Sequence, residues 1–469
     1  MFRPSEYRGA TRNRHQSRGT LFRPSEYRGA TRNRYQSRGT SAVKVLRDRA
    51  VVSWALYDWA NSAFATTVIA GFFPVFFKEY WSADTAATVT TFRLGVANGI
   101  ASLVIALLAP LIGAIADRGG VRRRFLLTFT TLGVVMTGGL YFVEAGAWPL
   151  AAALFVLASM GFAGANIFYD SLIIDVSPRH KYDLVSAYGF SLGYLGGALL
   201  FLVNVLMTVN PHWFGLADQA QAVRVAFLSV AVWWAVFTLP LLLFVREATV
   251  AGRQPLARAL RAGLAQLAGT FREVRALRTV FLFLAAYWLY IDGVNTVIKM
   301  AVDYGLSLGF AVNSLLAALL VTNLVGFPAA LAFGWIGERY GTRRGILLAI
   351  AVYIVVTVWA VFLRTELEFL CMAVAIGLVQ GGVQSLSRSL FARLIPQDKS
   401  AEFFGFYNMV GKFAAVLGPF LVAGFAWFTG SSRAAIFSIV ILFVAGGWLL
   451  TRVDVDPVAR SAGPFRPAA

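Results

Sequence analysis

Residues 113–123 read Gly-Ala-Ile-Ala-Asp-Arg-Gly-Gly-Val-Arg-Arg, and residues 334–344 repeat the pattern as Gly-Trp-Ile-Gly-Glu-Arg-Tyr-Gly-Thr-Arg-Arg. Gly113, Asp117, Arg118, Gly120 and Arg122 are matched by Gly334, Glu338, Arg339, Gly341 and Arg343 at a constant offset of 221 residues. Each copy joins two apolar runs of about 20 residues, the length that crosses a bilayer as helix. The glycines permit a tight loop and a close helix approach. The acid suits the amino terminus of a neighbouring helix, and the arginines suit headgroups or carboxylates. A merely basic loop would account for the arginines, but not for five spaced positions recurring together.

Two more correspondences run in the same sense. Gly164, Asn166, Ser171, Pro178 and Lys181 recur as Gly382, Gln384, Ser389, Pro396 and Lys399 at an offset of 218. Asp58-x-x-Asn61-Ser recurs as Asp292-x-x-Asn295-Thr at 234, which requires a longer connection after the first helix than after its counterpart. Parallel repeats of this kind, with sites at the repeat interface, mark the major facilitator fold. Apolar runs predict twelve spans, at roughly 51–77, 94–116, 125–144, 149–175, 184–207, 223–245, 279–301, 312–337, 345–363, 368–391, 402–427 and 432–451. The expected fold is an all-α membrane protein of twelve transmembrane helices in two pseudo-twofold-related six-helix bundles. Its parts are a basic, disordered tail (1–49), a first bundle (50–245), a linker (246–278), a second bundle (279–451) and a carboxyl-terminal tail (452–469). The linker stretch 256–277 suits an amphipathic helix on the membrane surface.

Composition agrees. The chain of 469 residues is 58% hydrophobic and only 14% charged, against about 25% charged in soluble domains. Its net charge of +19 is no sign of nucleic-acid binding, because 13 of the 42 Lys and Arg precede Val51 and most of the rest sit in short loops. Arg118, Arg122, Arg123, Arg124, Arg179, Lys181, the seven linker arginines, Arg339, Arg343, Arg344, Arg393 and Lys399 share one side; Lys78, Arg93, Arg224, Lys299, Arg364 and Arg433 lie on the other. Positive charge stays inside, so both termini are expected in the cytoplasm and the protein in a bacterial inner membrane. Residues 2–20 recur at 22–40 almost unchanged, a duplication without the apolar core of a secretory signal. Its Arg- and Ser-rich, acid-poor composition allows a transit peptide, but a near-perfect repeat fits a recent DNA duplication or a start codon placed too early better.

Polar residues inside apolar runs carry the functional expectation. An ionised carboxylate at mid-bilayer costs roughly 3 kcal/mol or more and usually faces a cavity or a partner. Asp58 and Asn61, with Asp292 and Asn295, share helix faces at i, i+3 and are expected to line one cavity, with the alternative of a structural network between helices. Either acid could carry a proton. Tyr57, Asn166, Gln384 and Asn408 are expected at the same cavity, as are Tyr169, Tyr290, Trp59 and Trp288 unless they only pack. Lys412 could snorkel, pair with an acid or attract an anion. Asp170 and Asp175 fall at repeat positions that hold Arg388 and Arg393 in the second half. Their opposite charges suggest gate pairs across the interface, with pairing inside each half as the alternative. Arg388 also suits a substrate carboxylate.

The loop resembles the signature of the major facilitator superfamily, where it governs conformational switching. YDWANSAF (57–64), FSLGYLGG (190–197), YIDGVNT (290–296), GGVQSLSRSLFARLIP (381–396) and EFFGFYNMVGK (402–412) resemble the vacuole-effluxer group of that superfamily. That group includes bacterial members of unassigned function and fungal proteins that release amino acids from the vacuole. The resemblance implies a secondary transporter that exports a small polar metabolite, amino acids among the candidates, by alternating access with or without proton coupling. A drug or sugar exporter and a non-transporting sensor remain alternatives. No cofactor or metal is expected: Cys371 is the only cysteine, His15, His180 and His212 form no cluster, and no phosphate-cradling Gly-Lys loop or His-based catalytic set can be assembled. The expected partners are the small substrate, protons and the lipid bilayer, and the expected state is a monomer.

Overall fold

The computed structural model describes residues 42–83, 85–247, 277–414, 417–430 and 432–454. The duplicated segment, the amphipathic linker stretch and most of the carboxyl-terminal tail lie outside the described residues. Among those described, the structure is helical throughout. The spans are α1 (Arg49–Trp81), α2 (Ala87–Gly119), α3 (Arg122–Gly139), α4 (Trp148–Ser171), α5 (Tyr182–Val209), α6 (Gln219–Phe244), α7 (Arg278–Ser307), α8 (Val312–Tyr340), α9 (Thr342–Ala360) and α10 (Glu366–Leu394). Then come α11, in two pieces (Ser400–Phe413 and Leu417–Thr429), and α12 (Ser432–Phe437 and Ile439–Thr451). Ten of these helices are individually long and apolar enough to cross a membrane.

Several boundaries differ from expectation. Part of the tail is ordered: Ala42–Leu46 forms a helical turn with Val45 buried. Asp48 caps α1 by accepting from Ala50 N at 2.8 Å. Helix α1 runs on to Trp81 because its backbone relaxes into wider π turns at Phe64–Phe72 and Phe77–Trp81. Helix α10 starts at Glu366 because Thr365 and Glu368 form a capping box. The continuous eleventh span is corrected to two pieces. The first piece ends where Ala414 leaves helical geometry as a turn residue with ψ of 0°.

Helices α1–α6 pack as one bundle and α7–α12 as the other; between them α2 crosses α11, α5 crosses α8 and α10, and α4 meets α11. Both crossings of the duplicated motif require glycine. A Cβ on Gly113 would collide with the Ala401 carbonyl oxygen, and one on Gly334 would sit 2.5 Å from Ala187 Cβ. Gly120 and Gly341 then turn the chain with φ of 56° and 96°, values that side chains rarely tolerate.

Candidate functional site

Between the bundles lies a cavity of about 430 Å³. Asp58 and Asn61 of α1, Asn166, Tyr169 and Asp170 of α4, Phe190 and Tyr194 of α5, Tyr287 and Asn295 of α7, Gln380, Gln384 and Arg388 of α10, and Asn408 and Lys412 of α11 all face it. Leu319 and Asn323 of α8 face it as well, so seven helices from both bundles supply the wall, the place where sites lie in folds built of such repeats.

Its floor is organised by Arg388, which is 2% exposed. The guanidinium reaches Asp170 Oδ1 through Nη1 at 3.1 Å and Asp58 Oδ2 through Nη2 at 3.4 Å. It also donates from Nε to Ser186 Oγ and from Nη2 to Ser186 O, both at 2.9 Å. Its faces lie against Phe190, Trp54 and Tyr169, with centroid distances of 4.3, 4.9 and 5.3 Å. The cation is thus desolvated by aromatics and neutralised by two carboxylates, the arrangement a buried charge needs. Each acid has a further donor: Tyr169 OH to Asp58 Oδ2 at 2.7 Å and Asn408 Nδ2 to Asp170 Oδ2 at 3.3 Å. Asn61 donates to Asn166 at 2.7 Å, and Tyr194 of the first bundle to Gln384 of the second at 2.9 Å.

The structure separates residues that spacing had grouped. Asp292 is fully buried and turns from the cavity toward α11, where both oxygens accept from Gly418 N at 3.1 Å. Asn295, three residues on, does line the cavity. A step of three residues rotates about 60° short of a full turn, enough to aim two neighbours at different targets. Tyr57 is also corrected: it is buried inside the first bundle, its hydroxyl 2.8 Å from Thr130 Oγ1. Trp59 stacks on Trp233, Tyr290 bonds Ser387, and Trp288 is 39% exposed on the outer surface.

The repeat-equivalent gate pairs are half realised. Asp170 and Arg388 do meet across the interface. Asp175 instead pairs with Arg122 of its own bundle at 2.8 Å, and Arg393 pairs with Asp183 of the other bundle at 2.7 Å. Around these pairs the bundles are joined at the face that carries the basic loops. Asp117 accepts from Ala401 N (3.2 Å) and Glu402 N (2.8 Å), capping α11. Arg122 donates to Ser400 at 2.8 Å and lies 3.2 Å from Glu247. Glu338 pairs with Lys181 at 3.1 Å, and Asp183 also accepts from Thr342 and Ser389. Arg343 donates to Val453 O at 2.9 Å, Arg339 lies over Trp335, and Arg118 is half-buried. Asp183, Ser186, Tyr194, Glu247 and Ser400 were not singled out from sequence. Asp183 carried a signal, an acid in the first turn of a span beside a basic loop; the hydroxyls carried none.

Residues 83–463 match the model of the family described as "Vacuole effluxer Atg22 like". The chain belongs to that family. A relative of it in Bacillus subtilis (strain 168), an uncharacterized MFS-type transporter named YxiO, is 38% identical over 407 residues, covering 86% of this chain and 94% of its own length. Autophagy-related protein 22 of Coccidioides immitis (strain RS) is 23% identical over 535 residues, 88% of each chain. Among solved structures, the human organic anion transporter MFSD10 superposes with a TM-score of 0.65 at 14% identity, covering 86% of this chain and 99% of that one. The transporter FucP in its outward conformation superposes with a TM-score of 0.63 at 11% identity, covering 87% and 98%. These two likenesses concern the fold: this vacuole-effluxer family member is a multi-pass membrane protein of the major facilitator type.

Proposed function

We propose that this chain carries a small polar, dipolar metabolite of the amino-acid class out of the cytoplasm by alternating access between the bundles. The observation that carries the reading is the cavity floor, where Arg388 of one bundle holds Asp58 and Asp170 of the other. Two carboxylates about one guanidinium leave excess negative charge to attract an ammonium group. Lys412 lies one turn beyond Asn408 on α11, on the same wall, and suits a carboxylate. A volume near 430 Å³ suits a small ligand. Export follows the family's description as effluxers.

The positive-inside rule supports a cytoplasmic position for the face with the basic loops, and on this reading both termini lie there and a bacterial inner membrane is the setting. The arrangement described is then closed on the cytoplasmic side, where Asp117, Arg122, Lys181 and Arg393 bind across the bundles. Opening the sealed face requires Arg388 to leave the two acids, and a proton taken by Asp58 would weaken its hold on the guanidinium. On this reading Asp58 is the coupling residue and Asp292 a structural one.

Proteoliposomes containing the purified chain, loaded with labelled neutral amino acids, test the reading. Efflux should respond to an imposed pH gradient, lose that response in Asp58→Asn and keep it in Asp292→Asn. Equal response in all three proteins would remove Asp58 from the coupling. Failure of every amino acid, with transport of a sugar or drug from the same vesicles, would replace the substrate class.

A further inference from the structure

Helix α11 is gripped at two amino termini by carboxylates of different bundles. Asp117 of the first bundle accepts from Ala401 N and Glu402 N at the start of the first piece. Asp292 of the second accepts from Gly418 N at the start of the second piece. A carboxylate at such a point satisfies orphan N–H groups and faces the positive end of the helix dipole. The fit at Gly418 is close: a Cβ there would collide with Thr296 Oγ1 and sit 3.0 Å from Asp292 Oδ1. Thr296 lies one turn after Asp292 and donates to it at 3.4 Å, so one face of α7 is shaped to this junction. The first piece carries Tyr407, Asn408, Gly411 and Lys412 into the cavity wall and ends at Phe413. Lys412 is six residues before the pinned Gly418.

We infer that Asp292 is a positioning residue for transport: it pins the second piece of α11 to α7 and thereby holds Asn408 and Lys412 at the cavity. It does this as a hydrogen-bond acceptor and not as a proton carrier. The inference rests on the reading of the cavity as the transport site.

The test reads geometry at the wall. In the full chain in liposomes, with Cys371→Ser as background, Asn408→Cys is labelled from the outer bath with a water-soluble sulfonated maleimide. Ala70→Cys, on the α1 wall, serves as the control reporter. Asp292→Asn keeps an acceptor for Gly418 N, so its labelling rate at position 408 should stay within about twofold of the parent. Asp292→Ala should change that rate about fivefold or more and leave position 70 within twofold. The inference is overturned if Ala leaves position 408 unchanged, if Asn changes it as much as Ala, or if both reporters shift together. Should the Ala variant not survive purification, Gly418→Ala replaces it, because a Cβ there would crowd Thr296 and Asp292: a changed rate at position 408 with position 70 unchanged supports the pin, and an unchanged rate at 408 refutes it. Protection of the parent Asn408→Cys by an amino-acid mixture is a separate arm. Its failure counts against the substrate reading and leaves the pin standing.

Discussion

Two seams close the same face with opposite polarity. Where α2 crosses α11, a buried arginine, Arg122, sits among Asp175 at 2.8 Å, Glu247 at 3.2 Å and Asp117 at 3.9 Å. Where α8 crosses α5, a fully buried carboxylate, Asp183, gathers Arg393, Thr342 and Ser389. The loop motif is the same in both, yet its second arginine is central in one copy and peripheral in the other, where among the described residues Arg343 donates to the carbonyls of Thr451 and Val453 at the end of α12. Repeat position 175/393 switches from Asp to Arg, and the cluster around it inverts. A duplicated backbone preserves the crossing, which depends on Gly113 and Gly334, while the side chains around it have diverged in charge.

Variants can break or sharpen this contrast. The largest effect is expected between the seams, at Arg388, whose loss strands two acids beside one another. Arg388→Ala should cost about 3–5 kcal/mol in detergent-titration unfolding, the range for removing one partner of a buried charge cluster. Arg122→Ala should cost about 3 kcal/mol by the same argument, whereas Arg343→Ala should cost below about 1 kcal/mol because its bonds lie near the surface. Similar losses in the two arginine variants would end the claim that the copies differ. Asp183→Asn keeps the shape and removes the charge, and should cost about 1.5–3 kcal/mol as hydrogen bonds to a charged group weaken. It should also speed thiol labelling from the sealed face. The smallest change is expected at Lys181→Ala, which removes a partly exposed pair with Glu338 worth about 1 kcal/mol or less, and high salt should mask it.

How much the sequence disclosed depended on the kind of signal. Residues that must be glycine, or acidic at a given loop position, announced themselves because two copies imposed the same steric demand. Residues whose role depends on direction did not. Asp58 and Asp292 occupy matching motifs, but one meets Arg388 and the other Gly418. Nothing local to either motif states what the neighbouring helix presents. Likewise Asp175 and Arg393 matched as opposite charges but found Arg122 and Asp183, which lie closer once the helices are packed.

By itself the sequence determined a duplicated twelve-span membrane protein with a polar interior, because apolar length, loop charge and repeated glycine spacing are properties of the chain. The tertiary structure alone decided which acids share Arg388, that α11 is pinned by Asp292, and that the described bundles meet at the basic face. Those outcomes turn on rotations of some tens of degrees about helix axes and on partners hundreds of residues away, and a local pattern carries neither.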